Sequence, residues 1–275
     1  MHSRSISGLI RGLIIVGVFA LASCSNGDKA SPQIIRISDH SFDMPDILVG
    51  STVDLEVIND GSVAHELGLF QIKPGTTVDQ ILEHLNSETG STADFDLGDP
   101  GGINMIGPGE RLRYQRQLQE GSYVVFCPMP FAGGSKHYSA GMIQLFTVSD
   151  TRVEALPVAD ATITLADDSI VVPTLVAGKR SYAVTNAGTV PHEVFIAGVP
   201  NKTTNDLGVI GEQIGAWIEG GQAGPPPVEV QFPGGHQTIQ PGETVVLTMT
   251  LRPDYLYQFV DFSGDQPIIV VASTS

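Results

Sequence analysis

The chain has 275 residues, 41% of them hydrophobic, enough for one large or two ordinary domains. Its 30 acidic and 14 basic side chains give a formal charge of −16, which excludes a nucleic-acid binder because such a surface repels phosphate. With 31 Gly, 18 Pro and strand-like alternation along most of its length, it reads as an all-β protein of short strands and turns.

Near the N-terminus, Arg4 and Arg11 accompany an apolar run over 13–22. That run is too short to span a bilayer as a helix, which takes about 20 residues. It ends in Leu21-Ala22-Ser23-Cys24, which resembles the cleavage box of bacterial lipoproteins. The resemblance implies a signal peptide over 1–23, removed on export, and a lipid on Cys24. Such an anchor would hold the protein on the cell membrane or outer membrane, facing the periplasm or exterior. Cleavage would remove Arg4 and Arg11 and no acid, making the chain still more acidic. Residues 24–33 are polar and read as a flexible tether.

From Ile34 the pattern is β. Residues 52–57 alternate, with Val53, Leu55 and Val57 on one face. Asn59-Asp60-Gly61 is a turn, and the next strand, 64–72, carries His65 near its start. Thr77-Val78-Asp79-Gln80 is a capping box opening a helix with Val78, Ile81, Leu82 and Leu85 on its apolar face. His84 on this helix is expected to be solvated, and 88–102 reads as an irregular loop. Strands follow over 111–118 and 124–127, and 141–148 closes a domain assigned to 34–149.

Residues 150–160 read as a linker, after which the pattern repeats over 161–275. Gly61-Ser62-Val63-Ala64-His65-Glu66 matches Gly188-Thr189-Val190-Pro191-His192-Glu193, and 101–110 matches 234–243 without a gap. A helix from Thr204, with Leu207, Ile210, Ile214 and Trp217 on one face, matches the Thr77 helix. Ordered matches at similar spacing mark a tandem repeat of one domain.

The chemistry concentrates in 126–142. With Cys24 lipidated, Cys127 has no disulfide partner, and an unpaired Cys in an exported protein is a candidate ligand. His137 and Met142 follow on the same loop, and His65 is the candidate second imidazole. A thiolate, two imidazoles and a thioether make the trigonal set with a weak axial Met that suits copper. The entry Gly-Ser-Tyr-Val-Val-Phe-Cys-Pro and the ending His-Tyr-Ser-Ala-Gly-Met resemble the cupredoxin family, over 34–149 and more weakly over the second half. The resemblance implies two tandem cupredoxin-like Greek-key β-sandwiches, each with a short inserted helix. It also implies one type 1 copper per chain, held by His65, Cys127 and His137 with Met142 axial. Met129 is a competing axial candidate. Nine residues separate Cys127 from His137, more than in most electron-carrier members, and the insertion 131–135 is expected to widen the mouth.

In the second half, His192 takes the place of His65 and Asp261 that of Cys127, and the loop that follows has neither His nor Met. The expectation is a domain without copper, serving docking or dimerisation. A hard-metal site from His192, His236 and Asp261 or Asp265 is the alternative.

The resemblance implies a blue-copper carrier that passes single electrons between membrane-associated partners, such as a c-type cytochrome or a membrane oxidase or reductase. The acidic charge would steer it to a basic partner. Electrons would pass through His137, expected to be the more exposed imidazole, beside an apolar patch of Pro128, Pro130 and Phe131. Storage or delivery of copper in the cell envelope is the alternative. An enzyme is not expected: related copper enzymes commonly place His before the Cys and use His-x-His pairs, whereas Phe126 precedes Cys127 and the chain has no His-x-His.

Overall fold

The computed structural model of the chain describes residues 31–50, 52–87, 96–98, 101–149, 155–202 and 206–274. The expected signal peptide and Cys24 lie outside these residues. No helix among the described residues is long and apolar enough to cross a membrane.

The first repeat runs β1 (Gln33–Ser38), β2 (Ser41–Asp43), β3 (Ile47–Val49), β4 (Thr52–Asn59), β5 (His65–Ile72), α1 (Val78–Leu85), β6 (Asp96–Gly98), β7 (Ile103–Ile106), β8 (Arg111–Gln117), β9 (Gly121–Phe126) and β10 (Ile143–Ser149). The second runs β11 (Ala161–Ala166), β12 (Ser169–Val171), β13 (Gly178–Asn186), β14 (His192–Pro200), α2 (Leu207–Glu219), β15 (His236–Ile239), β16 (Thr244–Leu251), β17 (Tyr255–Asp261) and β18 (Ile268–Ser273).

Local rules account for these elements. Val53, Leu55 and Val57 are buried along β4, as a period of two requires of a strand with one face in a core. At α1, Gln80 donates its N–H to Thr77 Oγ1 at 3.3 Å and accepts the Thr77 N–H at 2.9 Å. The reciprocal bonds satisfy two donors the helix leaves orphaned. Ile81 turns its apolar side inward. The second helix starts at Leu207, capped by Asp206, a little later than the Thr204 start read from the sequence. Part of the expected irregular loop is β6, which pairs with β5.

Each repeat is a two-layer sandwich. In the first, β2-β1-β4-β8 face β3-β10-β9-β5-β6; in the second, β12-β11-β13-β16 face β15-β14-β17-β18. The two four-stranded layers join edge to edge through β8 and β16 into one eight-stranded sheet. The join pairs Arg113 with Thr248, Tyr114 with Leu247 and Gln115 with Val246. Because 113, 114 and 115 correspond to 246, 247 and 248 in the repeat, this is a pseudo-two-fold contact centred on Tyr114 and Leu247. The same symmetry relates Asn104 N–H to Gly235 C=O at 3.3 Å and Gln237 N–H to Gly102 C=O at 2.9 Å. It also relates Asn104 to Glu193 and Gln237 to Glu66. Pairing leaves no open edge on either strand, which removes a liability of small sheets.

Candidate metal centre

Cys127 follows the end of β9, His65 opens β5 and His137 opens a 3₁₀ turn (His137–Ala140) before β10. Since β5 and β9 are hydrogen-bonded neighbours, with Gly68 opposite Phe126, their ends bring His65 to Cys127. Backbone bonds close the loop: Cys127 N–H to Met142 C=O at 3.0 Å, Met142 N–H to His137 C=O at 3.1 Å, His137 N–H to Met129 C=O at 2.9 Å and Tyr138 N–H to Cys127 C=O at 3.0 Å.

The donor atoms converge. His65 Nδ1 and His137 Nδ1 are 3.1 Å apart, and Cys127 Sγ lies 3.7 Å from the first and 3.5 Å from the second. A trigonal ion with imidazole and thiolate bonds of about 2.0 and 2.3 Å would space its ligands about 3.5–3.7 Å apart. The two sulfur distances match that spacing and the two nitrogens stand somewhat closer, so the triangle has about the size that a central metal ion requires. His65, Cys127 and Met142 are 0% exposed and His137 is 1%. Met142 is bound through its backbone to both Cys127 and His137, and buried Met129, in the same loop, accepts the His137 N–H.

Electrostatics prepare the site for a cation. Burial pushes the Cys127 thiol up to about 12, and backbone N–H groups of Glu66 and Met129 aimed at the sulfur act against it. Metal uptake must then displace the thiol proton. Burial, reinforced by His65, drives His137 down to about 4, and burial lowers His65 as well. Both rings therefore stand neutral near pH 7, with a lone pair available. His65 Nε2 faces Asp39 Oδ1 at 3.4 Å, and a carboxylate behind a ligating imidazole fixes its tautomer. Asp39 is anchored by Ser62, whose N–H and Oγ–H both donate to it at 2.7 Å.

Two expectations are corrected. His137 is not an exposed edge: the half-buried Phe131 ring stands over it, with centroids 4.1 Å apart. The insertion does not widen the mouth either. Phe131 N–H bonds Ser135 C=O at 2.7 Å and Gly134 N–H bonds Phe131 C=O at 2.9 Å, so 131–135 folds into a tight turn that closes the loop over the site. Gly133 and Gly134 supply the positive φ this turn needs.

The second repeat keeps the frame and changes the chemistry. Asp261 occupies the place of Cys127, and its Oδ2 lies 2.6 Å from His192 Nδ1, while His192 Nε2 faces Asp167 Oδ1 at 3.1 Å. The hard-metal alternative does not assemble. His236 is buried elsewhere, against Tyr114 Oη at 3.0 Å and Arg116 at 3.4 Å, and Asp265 is exposed. Among the described residues, His65, Cys127 and His137 are the group of His, Cys, Asp and Glu side chains placed so that they could hold a metal ion. Asp39 and Asp167 escaped the sequence reading, yet they stand at matching places in the repeat, and that match is the signal that could have found them.

No protein-family model and no curated protein sequence matches the chain. Among solved structures, it is similar to a reduced auracyanin from Roseiflexus castenholzii, at 21% identity over 44% of this chain and all of that one, with a TM-score of 0.30. Auracyanin A from Chloroflexus aurantiacus, described as a blue copper protein, aligns at 17% identity over 43% of this chain and all of that one, with a TM-score of 0.30. Copper nitrite reductase from Nitrosomonas europaea aligns across both repeats, at 16% identity over 90% of this chain and 94% of that one, with a TM-score of 0.26. By its own strands the chain is all-β, with two tandem β-sandwiches.

Proposed function

We propose that the chain is a one-electron carrier with a single type 1 copper held by His65, Cys127 and His137, with Met142 as the weak axial ligand. The observation that carries this reading is the closed triangle of two Nδ1 atoms and one Sγ, wholly inside the protein. Copper bound there supplies a reversible one-electron change. The chain's part is to keep the ligands from rearranging during that change. β5, β9 and the backbone bonds of the 126–142 loop hold them. Asp39 orients His65, and the Glu66 and Met129 N–H groups face the sulfur. Phe131 covers His137 and its ring also approaches the exposed His40 at 5.8 Å between centroids, so these rings would line the way from a bound copper to the surface.

Burial of the ligands favours a carrier over storage or delivery, since handing on a metal needs a ligand that the acceptor can reach. An enzyme would need a place for substrate, and every donor here is closed off. The partner on this reading is a c-type cytochrome or a membrane oxidase or reductase with a basic docking face, met by a protein tethered through Cys24. The test is the visible spectrum of the Cu(II)-loaded protein beside Cys127→Ser. An intense thiolate-to-copper band, with one copper per chain and both lost in the variant, is expected. A pale protein that binds Cu(I) tightly would overturn the carrier.

A further inference from the structure

The turn that ends α2 belongs to the ligand-less repeat, yet it reaches the metal centre of the other. Gln222 N–H bonds Trp217 C=O at 2.9 Å and Gly221 N–H bonds Ile218 C=O at 2.9 Å, the paired closure of a Schellman motif. Gly221 takes φ +74°, and a Cβ there would stand 2.0 Å from the Ala132 nitrogen and 2.1 Å from the Phe131 carbonyl carbon. The turn is thus seated directly on the segment that covers His137. The next residue, Gln222, has φ +54° and is 4% exposed. An unbranched side chain in that backbone region is uncommon and needs surroundings that fix it.

Those surroundings are the residue before a ligand. Gln222 Oε1 accepts the Ala64 N–H at 2.7 Å, and Gln222 Nε2 donates to the Ala64 C=O at 2.9 Å. Ala64 is 0% exposed, so without this clamp both its backbone groups would be buried without these partners. The repeat shows that the clamp is not a general feature of the fold. The counterpart of Ala64 is Pro191, which is exposed and has no N–H to give.

We infer that Gln222 is a positioning residue of the metal centre, supplied by the ligand-less repeat, which holds Ala64 and so fixes the direction of the His65 ring. The second repeat then serves the first as part of its ligand cage. This inference rests on the copper reading above.

The test uses the whole protein with Gln222→Met, which removes both clamp bonds, and Gln222→Glu, which keeps the shape and the acceptor but loses the donor. Measured on each are the thiolate-to-copper band and copper hyperfine splitting, the rate of Cu(I) loss to a chelator, and hydrogen exchange at the Ala64 and His65 amides of the copper-free protein. We expect altered spectra, about tenfold faster copper loss in the Met variant, a smaller change in Glu, and faster exchange at Ala64. Spectra and copper retention equal to wild type would overturn the inference and leave the copper reading standing, even if the melting temperature fell. A wild type without a thiolate-to-copper band would overturn both.

Discussion

The two repeats build the same cradle and fill it differently. In each, an Asn at the end of an early strand donates from Nδ2 to two backbone carbonyls and accepts a glycine N–H at Oδ1: Asn59 with Val63, Ile106 and Gly61, Asn186 with Val190, Ile239 and Gly188. In each, an Asp held by a hydroxyl residue backs the following His: Asp39 behind His65, Asp167 behind His192. At the cradle itself the frames diverge past β9 and β17. There the first repeat has Cys127 and a long loop returning a second imidazole, and the second has Asp261 and a short turn. The lesson is that strand pairing places the first His in either repeat, and the returning loop decides whether the place can hold a metal. In the second repeat, both His192 nitrogens face carboxylate oxygens, Asp261 on one side and Asp167 on the other, so side chains fill the place that a metal would take in the first.

That comparison can be broken most forcefully at the histidines of the copper-free protein. His192→Ala leaves Asp261, 1% exposed, without its imidazole partner. Stripping a hydrogen bond from a buried carboxyl group costs about 3 kcal/mol. The Ser263 N–H and Oγ–H bonds to its other oxygen remain. His65→Ala leaves no buried carboxyl group behind and should cost about 1–2 kcal/mol, the ordinary range for one substitution. Urea unfolding of both variants checks the difference. Equal losses would mean that the second cradle gains nothing from the His192–Asp261 bond.

A second way to sharpen it lies at the pseudo-two-fold contact. One side carries Tyr114, Arg116 and His236; the matching residues are Leu247, Met249 and Ile103, all buried and apolar. Burial, aided by Arg116, holds His236 well below the usual imidazole range, so it stays neutral in the folded chain. The unfolded chain takes up that proton below about pH 6.5 and the folded one does not, so stability is full above that pH and falls below it. In copper-free protein, His236→Ile, which copies Ile103, should shrink the fall between pH 6.5 and 5.5 by about 1 kcal/mol. Unfolding at the two pH values measures it, and an unchanged slope would refute a neutral buried His236.

These particulars also show what the sequence made readable. The candidate ligands stood out because a Cys, a His and a Met on one loop form a short-range pattern, and the Thr77 capping box is local in the same way. The union of the repeats was not legible. β8 reads Arg-Leu-Arg-Tyr-Gln-Arg-Gln, a strand with a wet face, yet Gln115 is 8% and Arg116 2% exposed. Arg116 can be buried because Glu243, far away in the chain, meets it at 2.9 Å. A pattern of residue types does not reveal such a partner, and it hides the cover over His137 for the same reason: Gly221 and Phe131 meet only through tertiary packing.

The finest contrast lies between the two supporting aspartates. Asp167 faces the His192 ring at 3.1 Å, and hydrogen bonds from Thr189, with His192, draw its carboxyl down to about 2. Asp39 faces the His65 ring at the longer distance of 3.4 Å. Both side chains also hold a hydroxyl residue, Ser62 or Thr189, through the same pair of bonds. Replacement by Asn leaves an acceptor for the backbone N–H in both places, so this part of the loss cancels between the variants. What remains is the bond to histidine. Asp39→Asn should then cost about 0.5 kcal/mol in copper-free protein, and Asp167→Asn should lower the melting temperature further, because its bond to histidine is the shorter one. The excess should shrink when His192→Ala is also present, since the ring that Asp167 faces is gone. Thermal unfolding of the four proteins of this cycle gives the coupling directly. A coupling of zero would mean that Asp167 holds only its loop, and that the second cradle is occupied by the His192–Asp261 pair alone.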